Sequence, residues 1–250
     1  MRKVPYPEGM VALAALVVSV ATGQSVPNFQ FQFTEKPGQY SVGLKVIEQY
    51  DRSRVFHSTS DATGQSVTAD GYRPLQTLVW YPADASKAER MTIGDYAALI
   101  RTETGFEKPM MHGKSQSFVE DFTRGTTALP VWALRDAPAQ PNRFPLVIYA
   151  PSINAPAIEN IELCEYLASH GFVVLATPSM GATERAMTVD ISGANAEAQD
   201  ISFLIDYAKS FPDTEMSSVA VIGYSWGGMS ALVAAARDKR IGAIVSLGTR

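Results

Sequence analysis

One stretch of the chain constrains the fold more than any other. Residues 219–232 read VAVIGYSWGGMSAL, an apolar β-branched run followed by a glycine-rich turn and small helix-forming residues. A G-x-S-x-G motif between a buried strand and a helix puts its serine on a sharp bend, where the flanking glycines allow close backbone contact. Gly223 and Gly227 meet this requirement. We therefore predict that Ser225 projects its hydroxyl at the bend, where the N–H groups that open the helix face a developing oxyanion.

The motif alone is weak, because G-x-S-x-G occurs by chance in roughly one chain in ten of this length. The alternative is a glycine-rich turn that carries an inert serine. The strand and helix patterns on either side favour the catalytic interpretation, since a chance match would rarely have both.

From residue 144 onward the sequence alternates regularly between strand and helix patterns. The strand patterns are short, continuous apolar runs, which are typical of a parallel sheet buried on both faces, and the helices supply right-handed crossovers. We predict an α/β fold, with a mostly parallel sheet and helices on both faces. The predicted strands are 145–150, 172–176, 218–223 and 241–247, and the predicted helices are 157–169, 194–210 and 227–236.

The N-terminal half carries two strand patterns. Residues 40–50 and 73–82 are predicted to pair as antiparallel strands at the start of the fold. Residues 51–71 are rich in Ser, Thr, Asp and Gly, and we predict a polar connection there that holds His57 in a solvated loop.

Residues 84–143 have weaker signals, and we interpret them as an insertion at the edge of the domain. Such a long excursion without strong strands either shapes a substrate entrance or serves as a structural cover. Its predicted features are a short helix at 93–102, a mixed segment with His112, a helical turn near 118–122 and a proline-rich stretch at 137–141.

The first 23 residues have the pattern of a secretory signal peptide. Arg2 and Lys3 precede an apolar run over residues 10–21, and small residues follow. The run is too short to span a bilayer comfortably, and no cysteine follows it to take a lipid. We predict a signal peptide at 1–23, one α/β domain at 24–250 and a secreted or periplasmic protein. An uncleaved membrane anchor and an ordinary buried helix are the alternatives.

Composition excludes several classes of function. The net charge of −4 comes without basic runs, so nucleic acid is not an expected partner. The single cysteine, Cys164, rules out an intramolecular disulfide, and we expect it to be a small buried residue in a helix. No histidine and acid cluster has metal-ligand spacing and no phosphate-binding loop is present, so we predict neither a metal nor a cofactor.

With the motif placed in a succession of βαβ units, the chain resembles the α/β-hydrolase superfamily. It looks most like the platelet-activating factor acetylhydrolase-like group and the related bacterial dienelactone-hydrolase-like proteins. The similarity runs from about residue 40 to residue 250. The segments that carry it are VGL at 42–44, DRSR at 51–54, RPL at 73–75, VWYPA at 79–83, LASHGF at 167–172 and GYSWGG at 223–228.

The resemblance implies that Ser225 attacks an acyl carbonyl, and that the oxyanion is bound by the N–H of Trp226 and a second N–H after the third strand. That second donor maps to Ile153. The His-Gly pair usual at this point is replaced by Pro151 and Ser152, so the freedom of a glycine is missing just before the donor. A serine at the bend also argues against a strict dienelactone hydrolase, which would carry cysteine there.

The acid and base of a catalytic triad are not found where the resemblance places them. Both should follow the serine, yet only Asp238 does so, and it falls at the far end of the helix after the motif. His57, His112 and His170 all precede Ser225, and His170 reads as a helix-terminal residue. We expect a chain truncated after the sixth conventional strand, inactive alone, with acid and base beyond Arg250. His112 as an unorthodox base and a non-catalytic relative are the alternatives.

Three functions follow from these observations. The first is a secreted serine hydrolase that cleaves carboxylic esters through an acyl-enzyme, with short-chain or phospholipid acyl esters as substrates. The second is a non-catalytic binding or scaffold module of the same fold. The third is a serine peptidase of the same superfamily. The expected partner is a small-molecule or lipid ester, with no stable membrane span after signal cleavage.

Overall fold

One mixed β-sheet forms the centre of the protein. The computed structural model describes residues 33–60, 66–85, 88–104, 106, 127–211 and 214–248, all within a compact unit that spans Phe31–Arg250. The predicted signal segment at 1–23, His112 and the predicted turn near 118–122 lie outside these residues. Within them, no helix is both long and apolar enough to cross a membrane.

The described residues form eight strands and four α-helices. The strands are β1 (Ser41–Ser60), β2 (Ser66–Ala83), β3 (Arg90–Thr92), β4 (Pro130–Arg135), β5 (Phe144–Ala150), β6 (Val173–Ala176), β7 (Thr214–Tyr224) and β8 (Ile241–Leu247). The helices are α1 (Ile93–Leu99), α2 (Ile161–Ser169), α3 (Ile191–Ala208) and α4 (Trp226–Arg237). The strand order in the sheet is β3-β4-β1-β2-β6-β5-β7-β8.

The C-terminal half of the sheet is parallel, as predicted. β5 pairs in parallel with β6 and with β7, and β7 pairs in parallel with β8. Successive side chains of β5 point to opposite faces: Leu146 packs in the cluster that contains α3 and α4, and Val147 packs in the cluster that contains α2. Helices therefore cover both faces, and the predicted α/β architecture is confirmed.

Helix α2 holds two residues that the sequence placed correctly. Cys164 is fully buried beside Ile161 and Ala168, and burial raises the pKa of its thiol. His170 is the C-cap of the helix, and Gly171 follows it with a φ of +91°. Both predictions, a small buried residue and a helix-terminal histidine, are confirmed.

The predicted polar connection at 51–71 is wrong, because the hairpin of β1 and β2 continues through most of it. The antiparallel pairing of the two strands extends from Ser41 opposite Ala83 to Ser60 opposite Ser66, with a register shift between Asp51 and Val55. Polar side chains do not prevent this, since strand pairing uses backbone groups. His57 consequently lies on a strand, with its side chain exposed and its N–H donating to the Thr183 carbonyl at 2.7 Å.

The segment 84–143 also departs from its prediction. The helix predicted at 93–102 is present as α1 and a 3₁₀ turn, Ile100–Thr102. However, β4 joins the main sheet by pairing in parallel with β1, so the segment is not without strands. The Glu165 carboxylate of α2 accepts hydrogen bonds from the N–H groups of Trp132 and Ala133 at 2.7 and 3.1 Å. This contact from a distant helix anchors β4 against the core.

A buried ion pair ties the hairpin to α3. Arg73 of β2 and Asp200 of α3 form two parallel bonds of 2.7 and 2.6 Å, and both side chains are at most 1% exposed. Arg54, from the irregular part of β1, adds a third bond to Asp200 at 2.6 Å. The two guanidiniums thus share one carboxylate that is removed from water.

Asp200→Asn should destabilise the protein by about 3 kcal/mol or more, because it leaves the guanidinium of Arg73 buried without its counter-charge. The matched control is Asp206→Asn on the same helix, whose side chain is 59% exposed in its pair with Arg240. The control should lose less than about 1 kcal/mol. Urea unfolding of both variants measures the two losses. Equal losses would contradict the importance of the buried pair.

Candidate active site

Ser225 lies at a sharp bend between β7 and α4. Its backbone has φ +51° and ψ −114°, a conformation that costs a non-glycine residue on the order of 1–3 kcal/mol. The N–H of Ser225 donates to the Leu247 carbonyl at the end of β8 at 2.8 Å, and its carbonyl accepts from Gly228 at 3.1 Å. The surrounding strands and helix therefore hold the serine in this conformation, with its side chain partly exposed.

The glycines around Ser225 are required by close packing. A Cβ on Gly223 would lie 2.3 Å from the backbone of Gly227, so the strand and the helix start are in direct contact. A Cβ on Gly227 would lie 2.1 Å from the Ala150 carbonyl oxygen. A Cβ on Gly228 would lie 2.2 Å from the hydroxyl of Ser246 on β8. The whole G-x-S-x-G-G sequence thus fits one crowded backbone junction.

The turn after β5 lies beside this junction. Ala150 pairs with Gly223 across the sheet, and the carbonyls of Ala150 and Pro151 are the atoms that Gly227 approaches. The N–H of Ala155 donates to the Ser152 carbonyl at 3.0 Å, which closes a turn with Ile153 at its second position. Trp226 and Ile153, the two predicted oxyanion donors, lie within one and two residues in sequence of the groups in this contact, Gly227 and Pro151. Their role in binding an oxyanion stays a prediction.

The turn does not need the glycine that its sequence lacks. We expected that Pro151 and Ser152 would deprive the backbone of freedom before Ile153. Neither has a positive φ; Asn154 does, at +60°. It occupies the third position of the turn, where a type II turn requires Gly or Asn. The left-handed conformation therefore falls after the donor, on a residue type that tolerates it.

A buried carboxyl group lies beneath the start of α4. The hydroxyl of Ser230 donates to Glu197 of α3 at 2.7 Å, and Glu197 is 2% exposed. Burial raises the pKa of Glu197 to about 8, although the Ser230 bond opposes the shift. Burial therefore favours the neutral form of this carboxyl group.

The other candidate residues do not gather at this junction. Asp238 caps the far end of α4 and binds Arg240 at 2.5 Å, and this bond lowers the pKa of its carboxyl to about 2. His170 ends α2 just before the amino end of β6, whereas Ser225 follows the carboxyl end of β7, and these parallel strands put the two residues at opposite strand ends. No group of three or more metal-binding side chains occurs in the described part of the chain.

Sequence reasoning missed several polar residues around the turn after β5. Arg185 and Glu103 form an ion pair at 3.2 Å next to the turn, and the side chain of Asn154 accepts from the Met187 N–H at 2.6 Å. Burial raises the pKa of Glu103 to about 7, and the charge of Arg185 opposes the shift. These residues come from three separate segments. Of these residues, only Asn154 could be recognised from the sequence, because Asn is common at turn positions.

Comparison with known proteins defines the class. The chain is similar in fold to the structure of a ferulic acid esterase from Streptomyces cinnamoneus. That similarity has a TM-score of 0.58 and 22% identity, and covers 84% of this chain and 59% of the esterase. An alpha/beta hydrolase from Penicillium sp. sh18 is similar at a TM-score of 0.45 and 15% identity, over 81% of this chain and 45% of that one.

A family model matches part of the sequence. Residues 132–247 match the model of the Dienelactone hydrolase family. The chain therefore has an α/β-hydrolase fold, and its residues 132–247 are similar to the dienelactone hydrolase family, in agreement with the superfamily resemblance. Among curated proteins, no sequence matches this chain. The chain spans less than two thirds of the length of the esterase structure.

Gly227→Ala should destabilise the protein by about 1–3 kcal/mol, because the added methyl group must separate α4 from the carbonyl of Ala150. Gly71→Ala is the matched control, since a Cβ at that exposed strand position meets nothing within 4 Å. The control should change stability by less than about 1 kcal/mol. Denaturant unfolding of the two variants measures the difference. A tolerated Gly227→Ala would show that the junction is looser than described.

Proposed function

We propose that the complete protein is an exported serine hydrolase that cleaves carboxylic esters through an acyl-enzyme. The observation that carries the proposal is the conformation of Ser225, which has a positive φ between a buried strand and the first turn of a helix. Strain of this kind persists where the surrounding structure fixes it, and it clusters at active sites. The similarity to the dienelactone hydrolase family supports hydrolysis as the class of reaction.

In the proposed reaction, the Ser225 hydroxyl attacks the carbonyl carbon of the ester. Its proton passes to a base, and the carbonyl oxygen becomes an oxyanion that accepts hydrogen bonds from the N–H groups of Trp226 and Ile153. Collapse of this intermediate expels the alcohol and leaves an acyl group on Ser225. Water then repeats the sequence and releases the acid. The positive end of α4 favours the negative charge at each stage.

The base that takes the serine proton is not assigned. The sequence leaves two hypotheses, a histidine that follows Arg250 and His112, which lies outside the described residues. Reading the coding sequence past Arg250 separates them, because the first requires an acid and then a loop histidine there. A serine without such a base would be a poor nucleophile.

A small ester is the proposed substrate. The ferulic acid esterase to which the fold is similar supports an ester over an amide, and short-chain or phospholipid acyl esters follow from the resemblance to acetylhydrolase-like proteins. Peptidase activity is the competing substrate class within the same chemistry. Parallel assays of p-nitrophenyl acetate and the matching p-nitroanilide separate the two, since an esterase turns over the ester alone.

A fluorophosphonate probe should label protein expressed from the complete coding sequence, because the probe phosphonylates an activated serine. Ser225→Ala should abolish the labelling and lower ester hydrolysis by at least about 10³-fold. Ser217→Ala, at an exposed serine on the same strand, is the control and should change neither. Equal labelling of wild type and Ser225→Ala, read by mass spectrometry of the labelled peptide, would contradict the proposal.

A further inference from the structure

We propose that Arg185 is a positioning residue that fixes the turn Ser152–Ala155, so that the N–H of Ile153 points at the oxyanion. The inference rests on the proposed function and deepens it. It assigns a role to the loop between β6 and α3 and to Glu103, from the segment between β2 and β5.

Arg185 connects three separate segments. Its guanidinium donates to the Ser179 carbonyl at 2.7 Å, to the Asn154 carbonyl at 3.2 Å and to Glu103 at 3.2 Å. The side chain is 28% exposed, and Glu103 is 4% exposed. A planar guanidinium with several donors holds three acceptors in a fixed arrangement, which a lysine ammonium on a flexible stem reproduces only in part.

The bond to the Asn154 carbonyl acts on the residue with the unusual backbone. Asn154 has a φ of +60°, and its side-chain oxygen accepts from the Met187 N–H at 2.6 Å. Arg185 and Met187, which belong to the same loop, thus hold Asn154 through its backbone and through its side chain. The left-handed conformation that shapes the turn is fixed from outside the turn.

Both ends of the turn are bonded as well. The N–H and hydroxyl of Ser152 donate to Glu159, and the Ala155 carbonyl accepts from the Ser179 N–H at 3.0 Å. Ser179 is the residue whose carbonyl Arg185 binds. By contrast, the N–H of Ile153 has no acceptor within the described residues. Hydrogen bonds therefore fix the turn on both sides of Ile153, while the Ile153 N–H can donate to an oxyanion.

Glu103 completes the arrangement from the other direction. One of its carboxylate oxygens pairs with Arg185, and the other accepts from the N–H of Ala157 at 3.2 Å, two residues beyond the turn. The Arg185 and Glu103 pair therefore holds the chain both within the turn and just after it. Loss of Arg185 releases the Asn154 carbonyl and leaves Glu103 without this cation.

An oxyanion donor works only when its position is fixed before the reaction begins. Removal of one such donor lowers kcat by about 10²–10³-fold, and a displacement of about 1 Å costs up to about 10²-fold. Arg185→Ala should keep the average position of the Ile153 N–H but increase its motion. We therefore expect kcat to fall by about 10- to 100-fold, with KM for a small ester changed by less than about threefold.

The test is steady-state hydrolysis of p-nitrophenyl acetate by protein from the complete coding sequence. Arg185→Ala should show the fall in kcat, and Arg185→Lys should recover part of it. Asn154→Gly is a second variant that permits the positive φ but removes the bond to Met187, and it should lower kcat by about fivefold or more. It keeps the inference testable if Arg185→Ala does not fold.

Arg240→Ala is the matched control. Arg240 also makes two ion pairs, with Asp206 and Asp238, but at the amino end of β8, away from the carboxyl strand ends that hold Ser225 and the turn. Its kcat should stay within about twofold of wild type. Wild-type kcat in both Arg185→Ala and Asn154→Gly, with Ser225-dependent hydrolysis intact, would overturn this inference alone. A rise in KM at constant kcat would also overturn it. Absence of Ser225-dependent hydrolysis in the wild type would overturn the proposed function, and this inference with it.

Discussion

The contact between Gly227 and the end of β5 is the constraint on which the rest of the site depends. A Cβ on Gly227 would lie 2.1 Å from the Ala150 carbonyl oxygen, which leaves no space for a side chain. The first turn of α4 therefore packs directly on the backbone of the neighbouring strand. Parallel pairing of β5 with β7 brings the two ends together, and Gly223 opposite Ala150 removes the remaining side chain. One close approach thus places Ser225 and the turn with Ile153 at the same point of the sheet.

Much of the fold could be predicted from the sequence, since its parallel half depends on local signals. β8 begins and ends where its apolar run does, and β5 and β6 agree within one residue. The extended hairpin and β4 could not be predicted in this way. Their pairing depends on backbone groups and on distant partners such as Glu165, which binds the N–H groups of Trp132 and Ala133. Hydrophobic periodicity carries no information about such contacts.

The candidate site likewise combines a feature that the local sequence predicts with features that depend on distant contacts. The bend at Ser225 depends on glycines within a few residues of it, so the local sequence is enough to predict it. The support of the turn after β5 is assembled from Glu103, Asn154 and Arg185, which are far apart in sequence. No spacing rule predicts that an arginine in one loop binds the carbonyl of an asparagine in another. The position of the nucleophile can therefore be predicted from the local sequence, whereas the arrangement around it depends on tertiary contacts.

The most direct test of the account is a crystal structure of the complete protein after reaction with a small phosphonate. We expect a covalent bond from phosphorus to the Ser225 oxygen, with the phosphoryl oxygen about 2.7–3.1 Å from the backbone nitrogens of Trp226 and Ile153. An adduct on another residue would contradict the role of Ser225. A phosphoryl oxygen turned away from both nitrogens would contradict the junction of α4 and the β5 turn as the oxyanion site.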